Sequence, residues 1–175
     1  MALDTIRLVM KNIYAVDKNP KDLKAREGLM LAATLGGLAF SNASICLVHG
    51  MSRPLGSNFK VPHGLSNAML LPTITEFSID YAKSRYADCS RAGEFALLQD
   101  SDDVACDKLI KGLYKLNKDF EVPSMKIFGI NKKNFEEELK NMATDAENSG
   151  APNLNPRVPS VNEMVDLYGQ AWRAF

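Results

Sequence analysis

Residues 37–56 of the chain are GLAFSNASICLVHGMSRPLG, and residues 59–72 are FKVPHGLSNAMLLP. These two stretches contain the only histidines of the sequence, His49 and His63. Neutral imidazole is the commonest metal ligand in proteins, so the pair is the clearest indication of chemistry in the chain. Two ligands make half a metal site at most, because a catalytic zinc site has three protein ligands and an open position.

The surroundings of the histidines offer no carboxylate ligand. No Asp or Glu occurs between Glu27 and Glu76, so further ligands must come from distant parts of the chain or from outside it. A histidine in an apolar stretch is more often a core residue with a satisfied hydrogen bond than a ligand, and spacing alone favours that interpretation. The two residues do not share a helix face, but a helix–loop–helix arrangement would bring them together.

Apolar residues at helical spacing indicate an all-α fold. The pattern predicts a first helix to about Tyr14. Asn19-Pro20 is a helix-start signal and predicts a long second helix from Pro20 to roughly Gly50. The second part of this helix, Leu31–Val48, carries no charge, and a helix that is apolar on every side is expected to be buried on every side.

Prolines and capping residues mark the remaining boundaries. Pro54–Pro62 is predicted to be a loop, and the following helix is predicted to bend or break at Pro72. Asn131 is a predicted N-cap, and Ser160 with Glu163 forms a predicted capping box for the last helix. No stretch alternates at period two for long enough to predict a sheet. The expected fold is one all-α domain, a helical bundle around a long buried central helix.

Composition excludes several classes of function. Lys plus Arg and Asp plus Glu both number 21 in 175 residues, so no basic surface for nucleic acid is expected. The longest uncharged stretch, residues 28–52, is rich in small and weakly polar residues, which indicates a buried helix rather than a membrane span. The N-terminus lacks the apolar segment of a signal peptide, and three cysteines without a CxxC motif indicate reduced thiols. A cytoplasmic protein is expected.

The two histidine-containing stretches resemble the iron-containing (group III) alcohol dehydrogenase family. The similarity is to its C-terminal helical domain, with the pattern AFSNAS…VHGMSRPLG…VPHG.SNAMLLP. It extends to residues 2–12, similar to ALDAIRLI.KNL, and to residues 23–31, similar to DLEAREKMLLAS. Toward the C-terminus it includes residues 122–130 and the closing segment 155–172. The resemblance therefore covers nearly all of the chain.

This resemblance implies a fold, a metal and a cofactor. The implied fold is a dehydroquinate synthase-like C-terminal domain over residues 1–175, with the family's N-terminal nucleotide-binding α/β domain absent. His49 and His63 match two of the four family ligands of Fe²⁺, or sometimes Zn²⁺, and an upstream Asp-x-x-x-His supplies the others. The intact enzyme uses NAD or NADP to interconvert an alcohol and an aldehyde or ketone. Because the chain has no third histidine and no Gly-rich phosphate turn, no cofactor-binding residue is assigned and the lone chain is expected to be inactive.

Two further positions follow from the resemblance. Phe40 lies where the family lines its substrate channel, and a plain core aromatic is an equal alternative. Arg53 stands where some members have a second histidine, four residues after His49, that is a candidate proton relay. Arginine stays protonated, so it cannot relay protons. It would pair with a cofactor phosphate or a substrate carboxylate, or else cap the helix C-terminus.

Two other interpretations stay open. The apolar helix would suit a non-catalytic module that docks on a separate N-terminal domain or a full-length homologue, because exposed apolar patches mark partners. Alternatively, His49 and His63 of two chains would build a four-histidine site in a homo-oligomer. The expected partners are therefore a small alcohol or aldehyde for the intact enzyme, and a second copy or the missing N-terminal domain for the chain. Neither a nucleic acid nor a membrane is expected.

Overall fold

Every regular element in residues 1–174, the part of the chain that the computed structural model describes, is a helix. The predicted all-α class is therefore confirmed. Two short 3-10 turns, Ile79–Tyr81 and Ala151–Leu154, accompany the α-helices. The α-helices are α1 (Ala2–Lys18), α2 (Leu23–Ala43), α3 (Leu47–Phe59), α4 (His63–Ser78), α5 (Lys83–Ala92), α6 (Asp102–Asp119), α7 (Met125–Phe128), α8 (Lys132–Asn148) and α9 (Val161–Arg173).

The chain divides into two units. The first unit contains residues 1–44 and 82–109, and the second contains residues 45–81 and 110–174. In the first unit α2 packs along α1. Gly28 lies at this contact, and a Cβ there would lie 2.4 Å from Asn12 Nδ2, so the Asn12 side chain would have to move. In the second unit α3 packs on α4 and α8, and α9 packs on α4 and α8.

The long second helix of the sequence analysis is divided between α2 and α3, so its predicted extent is wrong. Helix α2 begins at Leu23, where Asp22 Oδ1 accepts a hydrogen bond from the backbone N–H of Ala25 (3.0 Å). Asn19 instead ends α1, and its N–H donates to the carbonyl of Ala15 (2.9 Å). Helix α2 ends at Ala43, because Ser44 has φ 68° and ψ 177°, backbone angles that an α-helix cannot contain.

The predicted burial of this segment is also wrong. Only Ala25 and Ala32 of α2 are buried within the chain. Large apolar side chains of α2 are exposed by about half or more, namely Leu23, Met30, Leu31, Leu38 and Phe40. A charge-free sequence indicates that a helix avoids water, but the described chain covers little of this one. Leu23, Met30, Leu31 and Leu38 lie on one side of the helix, at about 100° per residue, and we call these four side chains the α2 apolar face.

Helix α3 replaces the loop predicted over Pro54–Pro62. Pro54 lies inside the helix, and the chain stays helical to Phe59. Two polar side chains hold the last turn, because Asn58 Nδ2 and Ser57 Oγ both donate to the Pro54 carbonyl (2.8 and 3.1 Å). The helix ends at Lys60, whose φ of 56° is left-handed.

Helix α4 continues through Pro72, where a bend or break was predicted. Proline has no N–H, so the carbonyl four residues earlier, that of Ala68, loses its helical donor. Asn117 of α6 takes the place of that donor, and its Nδ2 lies 2.7 Å from the Ala68 oxygen. The helix therefore keeps its hydrogen bonding through a side chain that is distant in the sequence.

The core of the second unit forms where α3, α4, α8 and α9 meet. Phe135 lies between the rings of Tyr168 and Trp172, with centroid separations of 6.4 and 4.6 Å. The two predicted caps of these last helices are confirmed. Asn131 accepts from the N–H of Asn134 at the start of α8, and the capping box of Ser160 opens α9.

No single helix in residues 1–174 is both long and apolar enough to cross a membrane. Helices α2 and α3 meet such a test of length and composition only when they are taken together across their break.

Candidate metal centre

The two histidines lie at the starts of consecutive helices in the second unit. His49 is in the first turn of α3, and His63 is the first residue of α4. Their ring centroids are 5.2 Å apart, with an angle of 51° between the ring planes. The arrangement differs from the predicted one, since His49 opens a helix instead of ending one. The expected meeting of the two rings is nevertheless present.

The separation of the rings suits a shared metal ion. A metal bonded to an imidazole nitrogen lies about 2.0–2.1 Å from it and so roughly 3 Å from the ring centroid. Two imidazoles at a tetrahedral angle on one ion then have centroids about 5 Å apart. The observed 5.2 Å agrees with this value, so the donor set fits a divalent ion that accepts nitrogen ligands.

Burial and charge both favour the neutral form of His49. Its side chain is half-buried, whereas His63 is exposed. Burial is the larger cause that lowers the pKa of His49, and the neighbouring His63 charge adds to it. Only neutral imidazole has a lone pair free for a metal, so the lowered pKa keeps His49 available as a ligand near neutral pH.

Asn67 contacts His63 and was not among the residues predicted for the site. It lies one turn further along α4, and its Nδ2 is 3.2 Å from His63 Nε2 and 3.4 Å from Nδ1. The same Nδ2 donates to the His63 carbonyl oxygen (2.8 Å). Asn67 Oδ1 is shielded from solvent and accepts no hydrogen bond from the described residues. The spacing i, i+4 on a helix was the available signal, since such residues are neighbours.

Arg53 lies one turn after His49 on α3, and its side chain is exposed. The alternative role as a C-terminal helix cap is wrong, because α3 continues for six residues to Phe59. Arg53 instead lines a surface cavity of about 520 Å³ between α3 and the end of α8, together with Asp145 and Asn148. A cation and a carboxylate therefore border the same cavity.

Phe40 and Cys46 have different surroundings from those expected of core residues. Phe40 belongs to α2 in the first unit and is 54% exposed, so the core-aromatic alternative is wrong. Cys46 precedes α3 as its N-cap and is partly buried. Burial raises the pKa of the Cys46 thiol, and a protonated thiol is a poor metal ligand.

A third ligand does not join the histidines in the described part of the chain. Among residues 1–174, no group of three or more His, Cys, Asp or Glu side chains is arranged to hold a metal ion.

Comparison with known proteins assigns the chain to a family. The model of the Fe-containing alcohol dehydrogenase family, C-terminal, matches residues 1–172. The lactaldehyde reductase of Escherichia coli strain K12 is 30% identical over 172 residues, which are 98% of this chain and 43% of that protein.

Solved structures agree with the family match. A 1,3-propanediol oxidoreductase superposes with a TM-score of 0.89 at 29% identity, covering 97% of this chain and 44% of that one. The iron-containing alcohol dehydrogenase of Thermococcus thioreducens superposes with a TM-score of 0.85 at 31% identity, covering 98% and 43%. The chain thus spans less than half the length of the relatives it matches. With helices, histidine pair and matched residues in agreement, it belongs to the Fe-containing alcohol dehydrogenase family, in that family's C-terminal region.

Proposed function

We propose that this chain supplies two imidazole ligands, His49 and His63, to the metal centre of an NAD(P)-dependent alcohol dehydrogenase. The metal is Fe²⁺, with Zn²⁺ as the alternative, and the reaction interconverts an alcohol and an aldehyde or ketone. The observation that carries the proposal is the 5.2 Å separation of the two rings, which suits one shared ion. Family membership of residues 1–172 supports the reaction class.

The proposed centre assigns limited roles to the residues of this chain. A bound divalent ion would polarise the oxygen of the alcohol or carbonyl as a Lewis acid. His49 and His63 would hold it, and the half-buried position of His49 would limit competing water. Arg53 stays protonated, so it takes no part in proton transfer and leaves that step to other groups.

Metal binding tests the ligand assignment directly. We expect the purified chain to bind Co²⁺ or Zn²⁺ weakly, and His49→Ala and His63→Ala each to weaken that binding by about tenfold or more, because each removes half of the ligands. Isothermal titration and the visible absorption of Co²⁺ provide the measurements. Cys46→Ser is the matched control, since it changes the nearest thiol and should leave the affinity unchanged. Equal affinity in the histidine variants would refute the assignment.

Metal stoichiometry separates a site within one chain from a site shared by two. A four-histidine site between two chains would bind half an equivalent of metal per chain, and either histidine variant would abolish it. A site within one chain binds up to one equivalent, and the chain stays monomeric when the metal is added.

Activity tests the reaction class. The chain alone is expected to show no NAD(P)-dependent oxidation of simple alcohols. Addition of a separately produced N-terminal half of a relative is expected to restore oxidation, and His63→Ala is expected to abolish it again. Full activity of the chain alone would contradict the proposal, because these residues would then hold a complete metal and cofactor site.

A second candidate function is a docking module without chemistry of its own, and the α2 apolar face favours it. Met30 and Leu38 are 70% and 49% exposed on a helix that is uncharged beyond Glu27. The proposed partner is the nucleotide-binding domain of a homologue. In sedimentation experiments with that domain, Met30→Glu is expected to abolish association, while the control Lys24→Glu leaves it intact. Association unaffected by Met30→Glu would remove the basis of this candidate.

A further inference from the structure

We propose that Gly50 is a positioning residue for His49. Because Gly50 has no side chain, the 3-10 turn Ala151–Leu154 packs directly against α3 next to His49, and this contact sets the position of the His49 ring relative to that of His63. The consequence for metal binding rests on the proposed function. The consequence for the two rings does not.

Each histidine is followed by a glycine, but the two glycines have different surroundings. Gly50 is buried, and a Cβ there would lie 3.1 Å from Pro152 Cδ and 3.4 Å from Ala151 Cβ. Gly64 is exposed, and apart from its own helix backbone and chain neighbours a Cβ there would meet no described heavy atom within 4 Å. Both glycines lie in helices, at backbone angles that alanine also adopts. The close contact is therefore particular to Gly50.

A methyl group at Gly50 would force neighbouring atoms to move. Carbon atoms in ordinary contact are about 3.5–4.0 Å apart, so Gly50→Ala would push α3 and the turn apart by roughly a few tenths of an ångström. Pro152 has a closed ring, which cannot swing away as a flexible side chain can. The movement must therefore come from the backbone of α3 or of the turn.

The turn is anchored on both sides. Asn155, which ends it, is 5% exposed, and its Nδ2 donates to Ser78 Oγ at the end of α4 (2.8 Å). At the other side the N–H of Ala151 donates to Ser149 Oγ, just after α8 (3.3 Å). Because Ala151 and Pro152 are also buried, α3 is the element that we expect to move.

The start of α3 is held less firmly than an ordinary helical turn. Pro54 has no N–H, so the Gly50 carbonyl lacks its α-helical donor. Met51 is fixed from outside the helix, since its carbonyl accepts a hydrogen bond from the Tyr168 hydroxyl (2.6 Å). A displacement at Gly50 is therefore expected to fall on the turn before Met51, which contains His49.

The relative position of the two rings can be measured without any metal. Their centroids are 5.2 Å apart, which is close enough for nuclear Overhauser effects between ring protons. At about pH 8, above the ordinary histidine pKa, we expect the same effects in the parent and in Gly64→Ala. In Gly50→Ala they should change by about a third, because they vary steeply with distance and the displacement is a few tenths of an ångström. Effects equal to those of the parent would overturn the proposal.

Metal affinity tests the positioning of the donor atoms. Ligands must be held within about 0.5 Å of the productive geometry, so Gly50→Ala is expected to bind Zn²⁺ about fivefold more weakly than the parent. The visible bands of bound Co²⁺ should also change. The matched control Gly64→Ala should keep the affinity and the spectrum of the parent. A glycine needed only for folding would leave both unchanged in folded Gly50→Ala, and that result would contradict a positioning role.

A second substitution tests whether the contact with Pro152 is the cause. Pro152→Ala removes Cγ and Cδ, the two atoms nearest to the added methyl group. The double variant Gly50→Ala/Pro152→Ala should therefore recover the ring contacts, and its Zn²⁺ affinity should return to within about twofold of the parent. Without recovery, the loss in Gly50→Ala has another origin and the proposal is wrong.

The measurements fail separately. If the parent chain binds no Zn²⁺, the proposed function fails, while the ring contacts still decide the role of Gly50. If Gly50→Ala unfolds, Pro152→Ala alone removes the packing on Gly50 and should change the ring contacts, and the double variant should restore them because its methyl group fills the vacated space. Ring contacts in Pro152→Ala equal to those of the parent would then overturn the proposal.

Discussion

Helices α2 and α3 share one uncharged stretch, residues 28–52, yet their large apolar side chains differ in burial. Leu47, Met51 and Leu55 of α3 are fully buried, at 0% exposure. On α2, by contrast, Leu38 and Phe40 are about half exposed. Composition therefore does not decide burial within this chain. What decides it is the presence of α4 and α8 against α3, whereas α2 within its own unit packs along α1.

A hydrophobic segment therefore predicts contact with an apolar surface, but it does not predict which surface that is. Scattered exposed apolar residues are normal, whereas several large ones on the same side of one helix are a feature of binding surfaces. The metal-ligand candidates belong to α3 and α4, which pack in the core of the second unit, and the docking candidate belongs to the exposed side of α2.

The largest expected effect is a difference in the free energy of unfolding between Leu→Ala variants on α3 and on α2. Leu55→Ala should lower the free energy of unfolding by about 2–5 kcal/mol, because it leaves a cavity in a packed core. Leu38→Ala should lower it by about 1 kcal/mol or less, because that side chain is already 49% exposed. Urea denaturation followed by circular dichroism measures both. Equal losses would mean that α2 is covered in solution, for instance by a second copy of the chain.

Loss of the Tyr168 hydroxyl should also lower the free energy of unfolding, but by a smaller amount than Leu55→Ala. Tyr168 donates from its hydroxyl to the carbonyl of Met51 (2.6 Å), linking α9 to α3. Tyr168→Phe should cost about 1–2 kcal/mol at neutral pH, because it leaves a buried carbonyl without this donor. Urea midpoints measure the loss, and a midpoint equal to that of the parent would show that the bond contributes nothing.

The same tyrosine predicts a dependence on alkaline pH. Burial raises the pKa of Tyr168 above its ordinary value, and the charge of Asp145 adds to the effect. Above about pH 10 the unfolded state loses this proton while the folded state keeps it, so stability should fall by up to about 1.4 kcal/mol per pH unit. In Tyr168→Phe this contribution should be missing. An identical alkaline slope in both proteins would assign it to another group.

The smallest expected effect on stability comes from the protonation of His49, which is half-buried in the first turn of α3. Its folded-state pKa lies below the ordinary 6.5, so the unfolded state binds the proton more readily as pH falls. The contribution of His49 to stability should therefore be present above about pH 6.5 and be lost as the solution becomes more acidic. His49→Gln should flatten the urea midpoint between about pH 7.5 and about pH 5.5. A steeper decline in the variant would contradict the sign.

Local signals in the sequence predicted the features that depend on a few neighbouring residues. The capping box of Ser160 and the N-cap at Asn131 involve residues three apart, and both were predictable. The predicted helix–loop–helix arrangement allowed His49 and His63 to meet, and their rings do meet, although both lie at helix starts. The end of α2 was not predictable, because Ser44 is neither glycine nor proline and still adopts φ 68°.

The exposure of α2 and the contact between Asn67 and His63 were not predicted from the sequence. The exposure of α2 is set by which surfaces pack against it, and the residues of α2 carry no information about them. Asn67 is four residues from His63, but an asparagine at that spacing is not a metal-ligand signal and so was not predicted to contact the site. Its contact with the ring depends on a rotamer, which spacing alone does not determine.

The hydrogen bond from Asn117 to Ala68 has a consequence for the order of folding. It joins positions 49 residues apart, and without it the carbonyl opposite Pro72 has no donor in the helix. The turn around Pro72 therefore completes its hydrogen bonding only after the chain has closed a long loop. Closing such a loop costs more conformational entropy than forming a helical turn, so it is slower. The segment that carries His63 thus becomes fully bonded late, when the distant end of α6 has arrived.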